Sequence, residues 1–317
     1  MGGRTMGTSW RVLLPAAAVS DPAAFELLTA AIDSRLFRLD REVFSTYTAD
    51  SALSRLNLQP SKEAFAATPE LLSVMTEANR VHILSGGAFD ITVKPLVDLW
   101  GFGPATPTFQ VPDAAAITAA LANLGQDSIV IEDSAGTITK PAQVTIDLSA
   151  IAKGYAVDAV ADLLELRGLS DYLVEIGGEV MVRGQRPDGQ PWRVGIETPL
   201  AGTSTLFQAL VTGSDRLAMA TSGSYRNFFN EDGQRYAHVI NPVTGRPVTH
   251  NLASVTVIAT SAATADAWAT ALLVLGPEAG MDLANELQLA AHFIEAGPGN
   301  FAAAHSQAFN RYLPDRQ

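Results

Sequence analysis

The chain has 317 residues, 47% hydrophobic and 17% charged, with a formal net charge of -12. So acidic a surface repels nucleic acid and anionic membranes in bulk, and a polyanionic ligand would need a local cation, helix N-terminus or metal ion. Cysteine is absent, which excludes thiolate catalysis, disulfides and cysteine-type zinc sites.

No run of 18 apolar residues is present, so nothing spans a bilayer as a helix. The start, Met1 to Met6, has no signal-peptide apolar core. Residues 9–14 read as a short strand. Asp21-Pro22 opens a helix, with the carboxylate as N-cap and proline in the first turn. Phe25, Leu28, Ile32, Leu36 and Leu39 follow at helical spacing. The polar segment from Phe44 to Asn57 reads as a loop entering a short helix. Thr68-Pro69 begins a helix stopped by Gly86-Gly87. An alanine-rich helix occupies 112–124, followed by strands at 128–132 and 143–147. A helix from Ala152 to Arg167 ends at Gly168. Strands at 172–176, 179–183, 192–197 and 206–211 suggest an antiparallel meander. A β-branched strand at 253–259 runs into a helix from Ala262 to Leu275, closed by Gly276-Pro277. Helices and strands come in blocks rather than strict alternation, which favours an α+β fold. The proline-rich stretch at 104–112 is the expected joint between two lobes.

Five constellations bear chemistry. Asp266 and Thr270 stand four residues apart on one helix face. A carboxylate and a hydroxyl so placed can share a hard cation such as Mg²⁺. Equally, the acid can favour the helix dipole and the hydroxyl can bond back to the preceding turn. His238 ends a strand before an Asn241-Pro-Val-Thr-Gly245 turn, the setting of a general base or of a half-buried structural histidine. His82, His250, His292 and His305 read as structural. Asp147 to Asp158 places small residues, Lys153 and a helix start where a phosphate can sit; Lys153 can instead pair with Asp158. Glu175-Ile-Gly-Gly-Glu179 is a hairpin turn or a point of close ligand approach. Ala220 to Arg226 reads as a hydroxyl-rich loop that can hold an oxygen-rich ligand. Tyr47, Trp100 and Phe102 are candidates for stacking a planar ring.

In order along the chain, these segments resemble the ApbE family of FAD:protein FMN transferases. The resemblance runs over residues 5–277: Met6-Gly-Thr; Phe44-Ser-Thr-Tyr47 with Asp50-Ser51 and Leu53-Ser-Arg-Leu-Asn57; Gly86-Gly-Ala-Phe-Asp90-Ile-Thr92; Leu99-Trp-Gly-Phe-Gly103; Ile146-Asp147 to Lys153-Gly154 and Asp158; Ile176-Gly-Gly178; Thr221-Ser-Gly223; His238-Val-Ile-Asn-Pro-Val-Thr-Gly245; and Ala265-Asp266 to Thr270. It implies an α+β, T-fold-related architecture of mixed and antiparallel sheets with packed helices. Residues 5–317 would form one domain, with two lobes around a central FAD cleft. It implies an enzyme that splits FAD with Mg²⁺, attaches FMN through a phosphoester to a Thr or Ser of a target flavoprotein, and releases AMP. By matching motif, Asp266, Thr270 and the main chain at Ala150 would hold the metal. His238 would be the general base. Met6, Tyr47, Asp90, Lys153, Asp158, Glu175, Ser222 and Gly223 would contact FAD. Family members commonly carry Gly where Ser149 stands, and Asn and Asp where Glu175 and Glu179 stand. Two other readings share the site: an FAD pyrophosphatase yielding FMN and AMP, and a flavin-binding protein without transfer activity. The resemblance further implies a periplasmic location, with peripheral or lipid-anchored attachment to the inner membrane through a signal absent from this chain, and no nucleic-acid partner.

Overall fold

A computed structural model describes residues 1–103, 111–200, 202, 205–225, 228–231 and 234–314. Its centre is one eight-stranded sheet: β1 (Gly2–Thr5), β2 (Thr8–Leu13), β3 (Tyr172–Ile176), β4 (Glu179–Arg183), β5 (Leu217–Gly223), β6 (Leu252–Ala259), β7 (Ala290–Ala296) and β8 (Phe301–His305). Strand order across the sheet equals chain order, and every neighbouring pair is antiparallel. Two hairpins are closed by two-residue turns in which both residues have positive φ, Met6-Gly7 (47° and 74°) and Gly177-Gly178 (63° and 106°). That geometry matches the right-handed twist of the flanking strands, and glycine adopts it without a Cβ clash.

Helices α1 (Pro22–Phe37), α2 (Pro69–Leu84), α3 (Ala152–Glu165) and α4 (Ala262–Leu275) build the layer on one face. Side chains alternate along the strands as the pleat requires. Tyr172, Val174, Ile176 and Met181 join the helical core, whereas Leu173 and Val182 point the other way. There they meet Trp192, Val194, Ile196 and Leu210 of a separate two-stranded ribbon, Arg193–Glu197 with Leu206–Val211, together with Phe309 near the C-terminus. A third apolar cluster is formed by Leu96, Trp100, Ile117, Phe229 and Ile240. Trp100 ties it together by donating from its indole nitrogen to the Gly245 carbonyl at 2.8 Å. Among the described residues no helix is long and apolar enough to cross a membrane.

The α+β expectation holds, and the hairpin at 172–183 and the helix at 262–275 fall where the spacing puts them. Asp21 caps α1 as expected, accepting from the Ala23 amide at 3.1 Å. Three expectations are corrected. The strands at 193–197 and 206–211 leave the meander and pair only with each other. Residues 220–223, read as part of a loop at 220–226, belong to the central strand β5. Residues 143–147 form no strand, because the Asn57 side chain takes the place of a partner: its amide donates to the Ile146 carbonyl at 2.9 Å, and its carbonyl accepts from the Ile146 amide at 2.8 Å. Of the expected joint at 104–112, residues 104–110 lie outside the described residues.

Candidate active site

The helical layer, the ribbon and the third cluster enclose a cleft of about 1870 Å³. Ordinary small-molecule sites span roughly 300–1,000 Å³, so there is room here for a dinucleotide-sized ligand. Tyr47, Asp90, Ala150, Lys153, Glu175, Ser222, Gly223, His238, Asp266 and Thr270 all line it. These residues come from segments more than 200 positions apart, so it is the fold that brings them together.

Asp266 is the best-defined group. It is 3% exposed on α4. Its Oδ2 accepts from the Gly154 amide at 3.1 Å and lies 3.5 Å from the Lys153 ammonium. No hydrogen bond reaches Oδ1 among the described residues. Gly154 lies in the first turn of α3, where amides have no partner within the helix, and Ala150 stands just before that helix. Asp266 satisfies the Gly154 amide, and no backbone hydrogen bond to the Ala150 carbonyl forms among the described residues. One turn along α4, the Thr270 hydroxyl meets the Ser222 hydroxyl of β5 at 3.0 Å rather than a carbonyl of its own helix. One carboxylate oxygen, one carbonyl and one hydroxyl are thereby left to the cleft.

Lys153 also contacts Glu179 Oε1 at 3.1 Å. Glu179 is 4% exposed, and its Oε2 is buried without a hydrogen-bond partner. Burial pushes its carboxyl well above the ordinary carboxylate range, and the nearby Asp266 pushes the same way, while Lys153 opposes both. For Lys153 the carboxylates outweigh desolvation and raise its pKa. The expected alternative pairing, Lys153 with Asp158, does not occur, because the two side chains leave α3 in different directions.

Asp158 is not in the cleft. Its carboxylate accepts from Ala262 N at 2.8 Å, Ala263 N at 2.9 Å and Ser261 Oγ at 2.8 Å. It thus caps the N-terminus of α4, where free amides and the helix dipole favour an anion. Burial raises its pKa, and those amides pull against the shift. Asp158 therefore orients the helix that carries Asp266 and Thr270 from outside the cleft. Met6 is likewise absent from the lining; it holds the β1–β2 turn and packs against the main core.

Tyr47 is 78% exposed at the cleft. A serine cluster shapes its loop. Ser45 Oγ accepts from the Tyr47 and Thr48 amides at 3.1 and 2.9 Å, and the Ser45 carbonyl accepts from Ser51 Oγ and Ser54 Oγ at 2.6 and 3.0 Å. An aromatic ring held out by a rigid loop is a stacking platform. Asp90 is fixed by Thr92, whose amide and hydroxyl donate to Oδ1 at 2.6 and 2.5 Å. Burial raises its pKa against those two bonds. Glu175 accepts from the Gly178 amide at 3.0 Å, so the Gly-Gly turn positions it. His238 lies at the end of the strand Gln234–Ala237, with the Phe102 ring 6.3 Å from its own. Phe102 lines the cleft; Trp100, the other ring candidate, is 1% exposed and belongs to the core.

The ApbE family model matches residues 6–293. The chain belongs to the ApbE family. Among its relatives, the FAD:protein FMN transferase of Vibrio cholerae is 40% identical over 317 residues, covering 99% of this chain and 92% of the relative. The protein of the same name from Escherichia coli K12 is 39% identical, covering 98% and 88%. Among solved structures, the flavin transferase ApbE from Vibrio cholerae superposes with a TM-score of 0.86 at 40% identity, covering 99% of this chain and 98% of that one. The apo flavinyl transferase ApbE of Pseudomonas stutzeri gives 0.87 at 37% identity, covering 99% and 96%. At this similarity the ApbE fold is shared over the whole length. Glu179, which the sequence reading places at the end of the Glu175 to Glu179 turn without a role of its own, also lines the cleft. The signal for Glu179 was its register: it shares the inward face of β4 with Met181, where a carboxylate is out of place unless used.

Proposed function

We propose that this ApbE-family protein is a Mg²⁺-dependent FAD:protein FMN transferase, taking FAD and a target flavoprotein as substrates. Its reaction would join the FMN phosphorus to a Thr or Ser hydroxyl oxygen of the target as a phosphoester. The pyrophosphate P–O bond breaks and AMP leaves. Membership of a family whose relatives are named for this transfer supports a transferase. The observation that supports the finer reading is that Asp266 and Ala150 line the same cleft as Thr270 while Asp266 Oδ1 and the Ala150 carbonyl accept no hydrogen bond among the described residues.

That donor set fits Mg²⁺. Among the described residues no group of three or more His, Cys, Asp or Glu is arranged to hold a metal. A cation here would rest on one carboxylate plus neutral oxygens, and Mg²⁺ takes such a set with waters completing its octahedron. When bound, it would supply neutralisation of the pyrophosphate and of the departing AMP. The rest falls to side chains. Tyr47 stacks a ring of FAD. Asp90 and Glu175 offer acceptors to its hydroxyls or ring N–H groups. His238 takes the proton of the incoming hydroxyl as its oxygen approaches phosphorus. Lys153 is engaged by two carboxylates, Glu179 and Asp266, rather than by a phosphate. A protein of charge -12 then holds a dianion without a broad basic surface.

Mass spectrometry of an acceptor protein incubated with FAD, Mg²⁺ and this protein tests the proposal. A gain of one FMN on a Thr or Ser peptide with stoichiometric AMP is expected. Free FMN and AMP with an unmodified acceptor would instead establish a pyrophosphatase. Bound, uncleaved FAD would establish a carrier.

A further inference from the structure

Lys153 stands between two buried carboxylates, 3.1 Å from Glu179 Oε1 and 3.5 Å from Asp266 Oδ2. Both acids have only 5% of their side-chain surface exposed. An ammonium beside a metal-binding carboxylate is a competitor: it occupies an oxygen and its charge repels a cation. Here the closer contact is to Glu179, whose own strand, β4, pairs with β3 across the Gly177-Gly178 turn and is fixed in place. Glu179 Oε2 is buried and makes no hydrogen bond. An unsatisfied oxygen of this kind is costly and is retained where it has a use.

We infer that Glu179 is a positioning residue that tunes cation affinity: it draws Lys153 off Asp266 and neutralises it, so that Asp266 remains available to a divalent cation. Nothing in the family resemblance assigns Glu179 this part. The inference rests on the Mg²⁺ reading above and deepens it. Glu179 touches no reacting atom; it acts through Lys153. With the Glu179 carboxyl replaced by an amide, the ammonium keeps only a neutral acceptor there, and Asp266 becomes its stronger partner. Partners one step removed from a metal commonly set its affinity by about 10- to 100-fold.

The test is calorimetric titration of the purified protein with Mg²⁺ alone, repeated with Mn²⁺ followed by the EPR signal of the free ion. Glu179→Gln, nearly isosteric, is expected to weaken binding by about 10- to 100-fold. Glu179→Asp, which keeps the charge, stays closer to the parent. The discriminating variant is Lys153→Met with Glu179→Gln. If the ammonium is what harms the site, removing it restores affinity above that of Glu179→Gln alone, and a purely structural role for Glu179 would not produce that rescue. Replacing a buried ion pair by neutral groups of similar volume is well tolerated, so the double variant also serves if the single one does not fold. Affinity in Glu179→Gln equal to the parent's, or no rescue in the double variant, overturns the inference while leaving the metal site standing. Asp266→Ala separates the two levels: unchanged Mg²⁺ binding there removes the metal site itself, and the inference with it.

Discussion

Gly154→Ala probes the contact on which the site is built. A methyl placed at Gly154 would lie 2.2 Å from the Ala262 carbonyl oxygen, 2.6 Å from its carbon and 2.7 Å from the Ala263 nitrogen. Comfortable separations are about 3.5 Å, so α3 and α4 must part by roughly 1 Å. All three atoms are backbone, and no side chain can swing aside. Overpacking of this kind costs about 1–3 kcal/mol, against a gain of about 1 kcal/mol from replacing glycine by alanine in a helix. The separation also stretches the Asp158 bonds to Ser261, Ala262 and Ala263; bonds to a charged acceptor contribute about 1.5–3 kcal/mol each, and a partial loss suffices. A net loss of about 2–4 kcal/mol is expected, lowering Tm by roughly 3–6 °C for a chain of this size. The Gly154 amide retreats from Asp266 at the same time, so Mg²⁺ affinity should fall with Tm. Calorimetry gives both quantities. Gly213→Ala is the control, because an added methyl there finds its nearest atom at 4.0 Å. A Gly154→Ala protein melting within a degree of the parent, with unchanged Mg²⁺ binding, would refute the idea that this crossing holds Asp266 in place.

Three further outcomes are expected. His238→Ala should keep FAD affinity, read by flavin fluorescence, while transfer slows by about 10²- to 10⁴-fold; persistent transfer would assign the proton to another group. Tyr47→Ala should weaken FAD binding by about 1–3 kcal/mol, the range for one aromatic stacking partner, and an unchanged Kd would take the ring out of the pocket. The third concerns acid. His292 is 2% exposed, and burial, with His305 beside it, lowers its pKa from 6.5 to about 4. The unfolded chain then binds a proton that the fold refuses, so stability is retained above pH 6.5 and lost as pH falls toward about 4. At about 1.4 kcal/mol per pH unit the full loss is at most about 3.5 kcal/mol. His292→Phe, which fits beside Phe309 and Phe207, should show a smaller drop in Tm between pH 7 and pH 4.5; an identical drop would clear His292 of the effect.

The elements that the sequence displays best are those whose signals are local. The Gly177-Gly178 turn needs only its own two residues, and α4 carries its stop in Gly276-Pro277. β5 was hidden for a physical reason: it is covered on both faces, so Leu217 to Ala220 shows no alternation. Its last residues, Thr221, Ser222 and Gly223, have the composition of a loop. Residues 143–147 misled in the opposite sense. They alternate like a strand, but Ile146 bonds an asparagine side chain 89 positions away and the Asp147 amide bonds the Ile91 carbonyl, so no strand partner forms. No periodicity reports such a contact.

The two aspartates show where motif reading ends and why. Asp158 and Asp266 are both buried acids on helices, and spacing makes both look functional. Their lone pairs separate them. A carboxylate accepts about four hydrogen bonds, and Asp158 makes four: to Ala262 N, Ala263 N, Ser261 Oγ and, at 3.3 Å, Arg216. Nothing remains for a ligand, and all of its capacity goes into fixing the first turn of α4. Asp266 spends one oxygen on Gly154 and Lys153 and keeps the other for the cleft. The first acid thus aims the helix from which the second acts. Removing Asp158 should therefore weaken Mg²⁺ binding together with stability, whereas removing Asp266 should abolish binding in a protein that still folds. Melting curves and Mg²⁺ titrations of Asp158→Asn and Asp266→Asn distinguish the two roles, and equal effects on both quantities would mean that the lone-pair criterion does not separate them.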